Sequence, residues 1–120
     1  MKISYGKNVY GKEEIKAVVN QLNKTTQMGI SVQKFEKLIG QKFSKKYALM
    51  VNSGSSALTL AMNVLNFKKN DEIIIPCLNF GTALSSIIQC GATPILIDIE
   101  IDTLQINASK IEEKINKKTK

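Results

Sequence analysis

The chain has no histidine and no tryptophan, and only two cysteines and two prolines among its 120 residues. All 17 of its basic residues are lysine, so arginine is missing too. Each absence excludes some chemistry. Without imidazole, these residues offer neither the usual zinc and non-haem iron ligand sets nor a Ser-His or Cys-His relay. Without guanidinium, they lack the bidentate contacts that nucleic-acid readers favour. The lysines are spread along the chain, with a group between Lys110 and Lys120, so the net charge of +7 reads as solvated surface rather than a nucleic-acid patch. Cys77 and Cys90 form no CxxC motif and flank apolar runs, which predicts buried, reduced thiols and no metal site. No apolar segment follows Met1-Lys2-Ile3-Ser4, and no apolar run approaches the length of a membrane span. The expectation is a soluble, cytoplasmic chain with no membrane partner.

Hydrophobic residues make up 43% of the chain, enough for one modest core. Lys12 to Asn23 places Ile15, Val18, Val19 and Leu22 at the spacing of an amphipathic helix. Lys24 to Ile30 breaks that pattern as a loop. Ser31 is the expected cap of a second helix carrying Val32, Phe35, Leu38, Ile39 and Phe43 inward. Tyr47 to Val51 predicts a short strand, and Ser55 to Leu65 a helix with Leu58, Ala61, Met62 and Leu65 on one face. Glu72 to Ile75, stopped by Pro76, predicts a strand buried on both faces. Gly81 to Cys90 predicts a helix with Leu84, Ile87 and Ile88 inside and Gly91 ending it. Ile95 to Ile99 predicts another buried strand, and Asn107 the cap of a last helix bearing Ile111 and Ile115. From Tyr47 onward, strands and helices alternate. That order predicts an α/β fold with a mostly parallel sheet and helices on both faces. Such sheets bind ligands at the carboxyl ends of their strands, here at Asn52 to Ser56 and Cys77 to Thr82.

Asn52-Ser53-Gly54-Ser55-Ser56 has neither the Gly-Lys-Ser/Thr ending of a Walker loop nor the three glycines of a dinucleotide fingerprint. A compact Ser-Gly-Ser-Ser turn at a helix start suits one terminal phosphate, held by free backbone N–H groups and the helix dipole. The same serines also serve as an ordinary helix N-cap, and the segment alone leaves both readings open. Phe80, on the next loop, adds a second feature. An aromatic beside a phosphate cradle can stack on a flat ring, although a single Phe is also an ordinary core residue. Cradle and ring platform together point to a phosphorylated aromatic cofactor, and pyridoxal 5'-phosphate fits that description.

Three stretches carry a family resemblance. They are Gly29-Ile30-Ser31-Val32-Gln33-Lys34-Phe35-Glu36, the turn from Val51 to Leu58, and Ile75 to Asn107 with Asn79-Phe80-Gly81-Thr82, Gly91-Ala92-Thr93-Pro94, Asp98 and Asp102-Thr103. In this order and spacing the chain resembles the N-terminal part of the DegT/StrS-type pyridoxal-phosphate-dependent sugar-nucleotide aminotransferases. The resemblance implies the start of the large domain of the aspartate-aminotransferase-like, fold type I architecture. Residues 1–46 would be an N-terminal helical segment, and residues 47–120 the beginning of the cofactor-binding large domain.

The resemblance also implies roles. Gly54 and Ser55 match residues that bind the cofactor phosphate, and Phe80 matches the aromatic that stacks on the pyridine ring. Thr26 and Gly29 lie in the segment bordering the sugar-nucleotide pocket. The implied reaction moves an amino group from a donor such as glutamate to a keto sugar linked to a nucleoside diphosphate, in a homodimer. The family's pyridinium-binding Asp and Schiff-base Lys match no position up to Lys120, so no catalytic residue is assigned and the chain is expected to be an inactive fragment. Asn52-Ser53-Gly54-Ser55-Ser56-Ala57 and Ile88-Gln89-Cys90-Gly91 resemble the related 3-dehydrase branch, in which His replaces that Lys. A reading of another class also stands: a non-catalytic α/β module whose loop holds phosphate, or one whose serines only cap a helix.

Overall fold

A computed structural model of the chain describes residues 6–27 and 29–120. The chain divides into two compact units, residues 1–50 and 51–120.

The first unit carries two helices, α1 (Lys12–Leu22) and α2 (Ile30–Lys42). Glu14 begins α1 by accepting a hydrogen bond from the Gly11 amide at 2.7 Å, which also holds its carboxyl below the ordinary range. The stripe Ile15, Val18, Val19 and Leu22 forms as predicted, but all four side chains are largely exposed rather than packed into a core. Phe35 and Leu38 of α2, and Phe43 just past its end, are likewise exposed. Ser31 is not the cap of α2. Gly29 occupies that position, and the Ser31 hydroxyl instead donates to Gln21 Oε1 at 2.9 Å, joining the two helices. α2 ends where Ser44 turns left-handed at φ 52° and the Lys45 amide returns to the Gly40 carbonyl at 2.8 Å. A Cβ on Gly40 would stand 3.0 Å from the Lys45 carbonyl oxygen, which accounts for glycine there. Tyr47 to Val51 is not a strand. A strand exists through a neighbour's hydrogen bonds, and among the described residues this segment has no ladder partner. Its backbone is tied instead by a side chain, because Glu36 Oε1 accepts from the Met50 amide at 2.8 Å.

In the second unit, α3 (Gly54–Leu65) leads through a left-handed Asn66 and a turn closed by Asp71 to β1 (Glu72–Pro76). A crossover helix, α4 (Gly81–Gln89), then leads to β2 (Thr93–Ile97). Gly91 takes φ 83° between α4 and β2, a left-handed turn that suits glycine. β1 and β2 pair in parallel from Glu72↔Thr93 to Pro76↔Ile97. β2 thus begins and ends two residues earlier than the run Ile95–Ile99 predicts. Ile99 leaves the sheet to bridge Ile106 in antiparallel fashion, with the Asn107 amide donating to the Asp98 carbonyl.

Neither strand is buried on both faces. β1 is half-buried throughout, and only Ile97 of β2 is fully covered. The core is Ile87, Ala92 and Ile97 with the polar Ser86 among them. Of the apolar face predicted for α4, Ile87 is inside, but Ile88 is exposed. The last predicted helix is two 3₁₀ turns, Ala108–Lys110 and Glu112–Lys114, the first capped by Asn107 accepting from the Ser109 amide. Beyond them the chain returns to the sheet. Thr119 bridges Glu72 in parallel, the Glu72 amide donates to the Lys118 carbonyl at 2.8 Å, and the Lys120 amide to the Glu72 carbonyl at 3.0 Å.

Candidate functional site

Ser53, one residue outside α3, is the cap. Its Oγ accepts from the Ser56 amide at 3.1 Å, and the hydroxyl donates to Ser56 Oγ. The Ala57 amide donates to the Ser53 carbonyl, so the third and fourth N–H groups of the helix are used internally. The first two belong to Gly54 and Ser55. Among the described residues neither meets an acceptor. Capping and anion binding, alternatives in the sequence, therefore fall to different residues: Ser53 caps, while Gly54 and Ser55 keep free donors at the positive end of a 12-residue helix. The Ser55 side chain is exposed, and a Cβ added to Gly54 would meet nothing within 4 Å, so the approach to both amides is open. This donor set fits a phosphate.

Phe80 is 72% exposed, which excludes an ordinary core role. It is the residue before α4, with extended backbone, and its amide is held by Asn79 Oδ1 at 2.7 Å. Both features thus stand at helix starts on the same unit, and α3 and α4 pack against each other.

At the carboxyl ends of β1 and β2 the Cys77 amide donates to the Ile97 carbonyl. The Cys77 thiol lies 3.4 Å from Asp98 Oδ1. Cys77 is exposed, so the predicted burial is wrong for it. It is the first residue past β1, at the open end of the sheet, whereas Cys90 at the end of α4 is partly covered and points its thiol at the Ile87 carbonyl. Asp98 also accepts from the Ile99 amide at 2.8 Å, and that bond, then the thiol, holds its carboxyl below the ordinary range.

In the first unit, Thr26 rims a hollow of about 350 Å³ between α1 and α2, floored by Val18, Leu22 and Val32. Gly29 begins α2 beside it with extended backbone that any residue could adopt.

Two residues outside the predicted site join its halves. The Thr59 hydroxyl lies 3.3 Å from Ser86 Oγ, and Ser86 donates to the Thr82 carbonyl at 2.8 Å. Their signal in the sequence is faint: each is one hydroxyl among several small polar residues of its helix.

The geometry defines a class: an α/β crossover unit with anion donors at one helix start and an exposed ring at the next. The chain belongs to the DegT/DnrJ/EryC1/StrS aminotransferase family, whose description matches residues 8–120. It is 37% identical over 119 residues to the GDP-perosamine synthase of Escherichia coli O157:H7, covering 97% of this chain and 32% of that protein. It is 36% identical over 119 residues to the spore coat polysaccharide biosynthesis protein SpsC of Bacillus subtilis strain 168, covering 98% and 31%. The solved structure of E. coli GDP-4-keto-6-deoxy-D-mannose-3-dehydratase with bound hydrated PLP superposes with a TM-score of 0.88 at 32% identity, over 95% of this chain and 31% of that one. The architecture is accordingly the N-terminal part of the fold type I pyridoxal-phosphate fold. The chain spans about a third of the length of these relatives. Among the described residues no helix is long and apolar enough to cross a membrane.

Proposed function

We propose that the chain forms the phosphate- and ring-binding part of a pyridoxal-phosphate enzyme that transfers an amino group, from a donor such as glutamate, to a nucleotide-linked keto sugar. The observation that carries this reading is the pair of unpartnered N–H groups at Gly54 and Ser55, in a chain of this family. Gly54 and Ser55 bind the cofactor phosphate, and Phe80 lies against the pyridine ring. Thr26 and Gly29 border the sugar-nucleotide pocket. The cofactor, when bound, supplies the electron sink for amino transfer; these residues hold and orient it. Residues 47–120 begin the large domain of a cytoplasmic homodimer. The 120 residues supply contacts to the cofactor and no reacting group, so alone they turn over no substrate.

A second reading keeps the same cofactor site and replaces amino transfer by 3-deoxygenation. It rests on the residues 52–57 and 88–91 that resemble that branch, together with the superposition on the 3-dehydratase.

Spectral titration of the chain with pyridoxal phosphate tests the common part. Phe80→Ala weakens binding by roughly two- to tenfold for a lost ring contact, and Ser55→Ala, which removes the exposed hydroxyl beside the phosphate donors but keeps the amide, weakens it less. Phe80→Ala leaves thermal stability within about 0.5 kcal/mol, because the ring is exposed. Binding unchanged in both variants sinks the cofactor site, and measurable amino transfer by the chain alone sinks the claim of inactivity.

A further inference from the structure

Ser86 is a polar residue in the core, 2% exposed, between α4's buried Ile87 and the packed face of α3. A serine hydroxyl has one proton. Ser86 gives its proton to the Thr82 carbonyl at 2.8 Å. Its contact with Thr59 at 3.3 Å then has one polarity: Thr59 donates and Ser86 accepts. The result is a directed relay, Thr59 O–H to Ser86 Oγ–H to Thr82 C=O, running from α3 into the first turn of α4.

Its placement matters more than its strength. Thr59 is five residues past Gly54, where α3 begins, and Ser86 is five past Gly81, where α4 begins. At the α-helical rise, each helix start lies about 7.5 Å along its axis from the contact. The Gly54 and Ser55 donors stand at one of those starts and Phe80 at the other. The relay's acceptor, Thr82, is itself two residues from Phe80. A slide of α3 past α4 breaks the relay and moves the phosphate donors relative to the ring platform by the same amount. Interdigitated apolar contacts resist such a slide without fixing one partner atom to another; the hydroxyl pair adds a directional contact at one depth.

The geometry points to Thr59 and Ser86 as positioning residues that fix the depth of the phosphate donors against the ring platform, without touching the cofactor. This inference rests on the cofactor site proposed above.

The test uses the whole chain and pyridoxal phosphate, read by dissociation constant, by induced circular dichroism of the bound chromophore, and by thermal midpoint. Thr59→Val is nearly isosteric, and Ser86 keeps its bond to Thr82, so no buried hydroxyl is orphaned. It is expected to weaken binding by about three- to tenfold, in line with one lost hydrogen bond, and to reduce the induced signal at saturation. Thr59→Ser restores both readouts. Ser86→Ala reads the same link from the other helix. A lowered midpoint with wild-type affinity and induced signal in Thr59→Val overturns the inference in favour of plain packing, as does failure of both Thr59→Val and Ser86→Ala to fold. If Ser55→Ala and Phe80→Ala weaken binding and the relay variants do not, the inference alone fails. If the wild-type chain does not bind pyridoxal phosphate, the site fails first and the inference with it.

Discussion

Gly54 stands where proline does least harm to a helix, at the first helical position, after a residue with extended backbone at φ −160°, ψ 160°. Its Cβ position is open. Gly54→Pro therefore deletes one N–H donor and little else. The expected outcome is retained helicity by circular dichroism, with pyridoxal-phosphate affinity lowered by roughly ten- to a hundredfold, the scale of one hydrogen bond to a charged group. Unchanged affinity would assign the phosphate to other donors. Asp98 gives a second test. The Ile99 amide and then the Cys77 thiol depress its carboxyl, so folding favours the ionised form. Stability from such a group is present above the unfolded carboxylate's range and lost as pH falls through the folded value. Denaturant unfolding from about pH 6 to about pH 3 should show a steeper loss in the wild-type chain than in Asp98→Asn. Parallel pH profiles would remove Asp98 from the account. At this scale the sequence carried the residue types of the candidate site, but it could not divide the serines between capping and free donors. That division depends on which residue sits one step outside the helix.

The loop after β2 holds its own strained element. Leu104 adopts φ 56°, a left-handed backbone that costs an L residue about 1–2 kcal/mol. The loop imposes it: the Leu104 amide closes on the Glu100 carbonyl and the Glu100 amide on the Gln105 carbonyl, between the bridged Ile99 and Ile106. With its side chain 57% exposed, Leu104 returns little burial. Leu104→Gly relieves that strain but adds about 0.4–1 kcal/mol of unfolded-chain entropy, so stability should rise by at most about 1 kcal/mol in denaturant melts; a loss would mean that the leucine's packing outweighs the strain. α1, α3, β1 and α4 were legible from apolar spacing and from the Asn and Gly at their ends. The left-handed Asn66 and Gly91 are the residue types that conformation favours. Leu104 gives no such cue. The stretch from Asn107 to Ile115 has helical spacing, yet forms only 3₁₀ turns, because the chain must turn back toward Glu72. Tyr47–Val51 reads as a strand by composition, and composition says nothing about whether a neighbour is present to pair with it.

Across the whole molecule, apolar surface is the dominant feature. Leu58, Leu60, Val64 and Leu65 of α3 and Ile88 of α4 are all exposed, as are the apolar stripe of α1 and Phe35 and Leu38 of α2. Surfaces of this size rarely stay in water on a soluble chain. The 120 residues by themselves are expected to self-associate as concentration rises in sedimentation velocity and to enhance the fluorescence of an apolar dye. A monodisperse monomer with one cooperative unfolding transition would contradict this. The α/β class was legible because strands and helices alternate after residue 70. The exposure was not, since sequence periodicity marks which face is apolar and not whether anything covers it. The return of Thr119 to Glu72 has a consequence for the order of assembly. β1 meets β2 after one short crossover, whereas its bridge to Thr119 closes a loop more than twice as long. Loop-closure entropy makes the nearer pairing the earlier one. β1 thus begins with its second side unpaired, and only its first residue, Glu72, gains a partner there when Lys118 and Lys120 arrive, so residues that composition marks as solvent-facing charge pin one end of the strand.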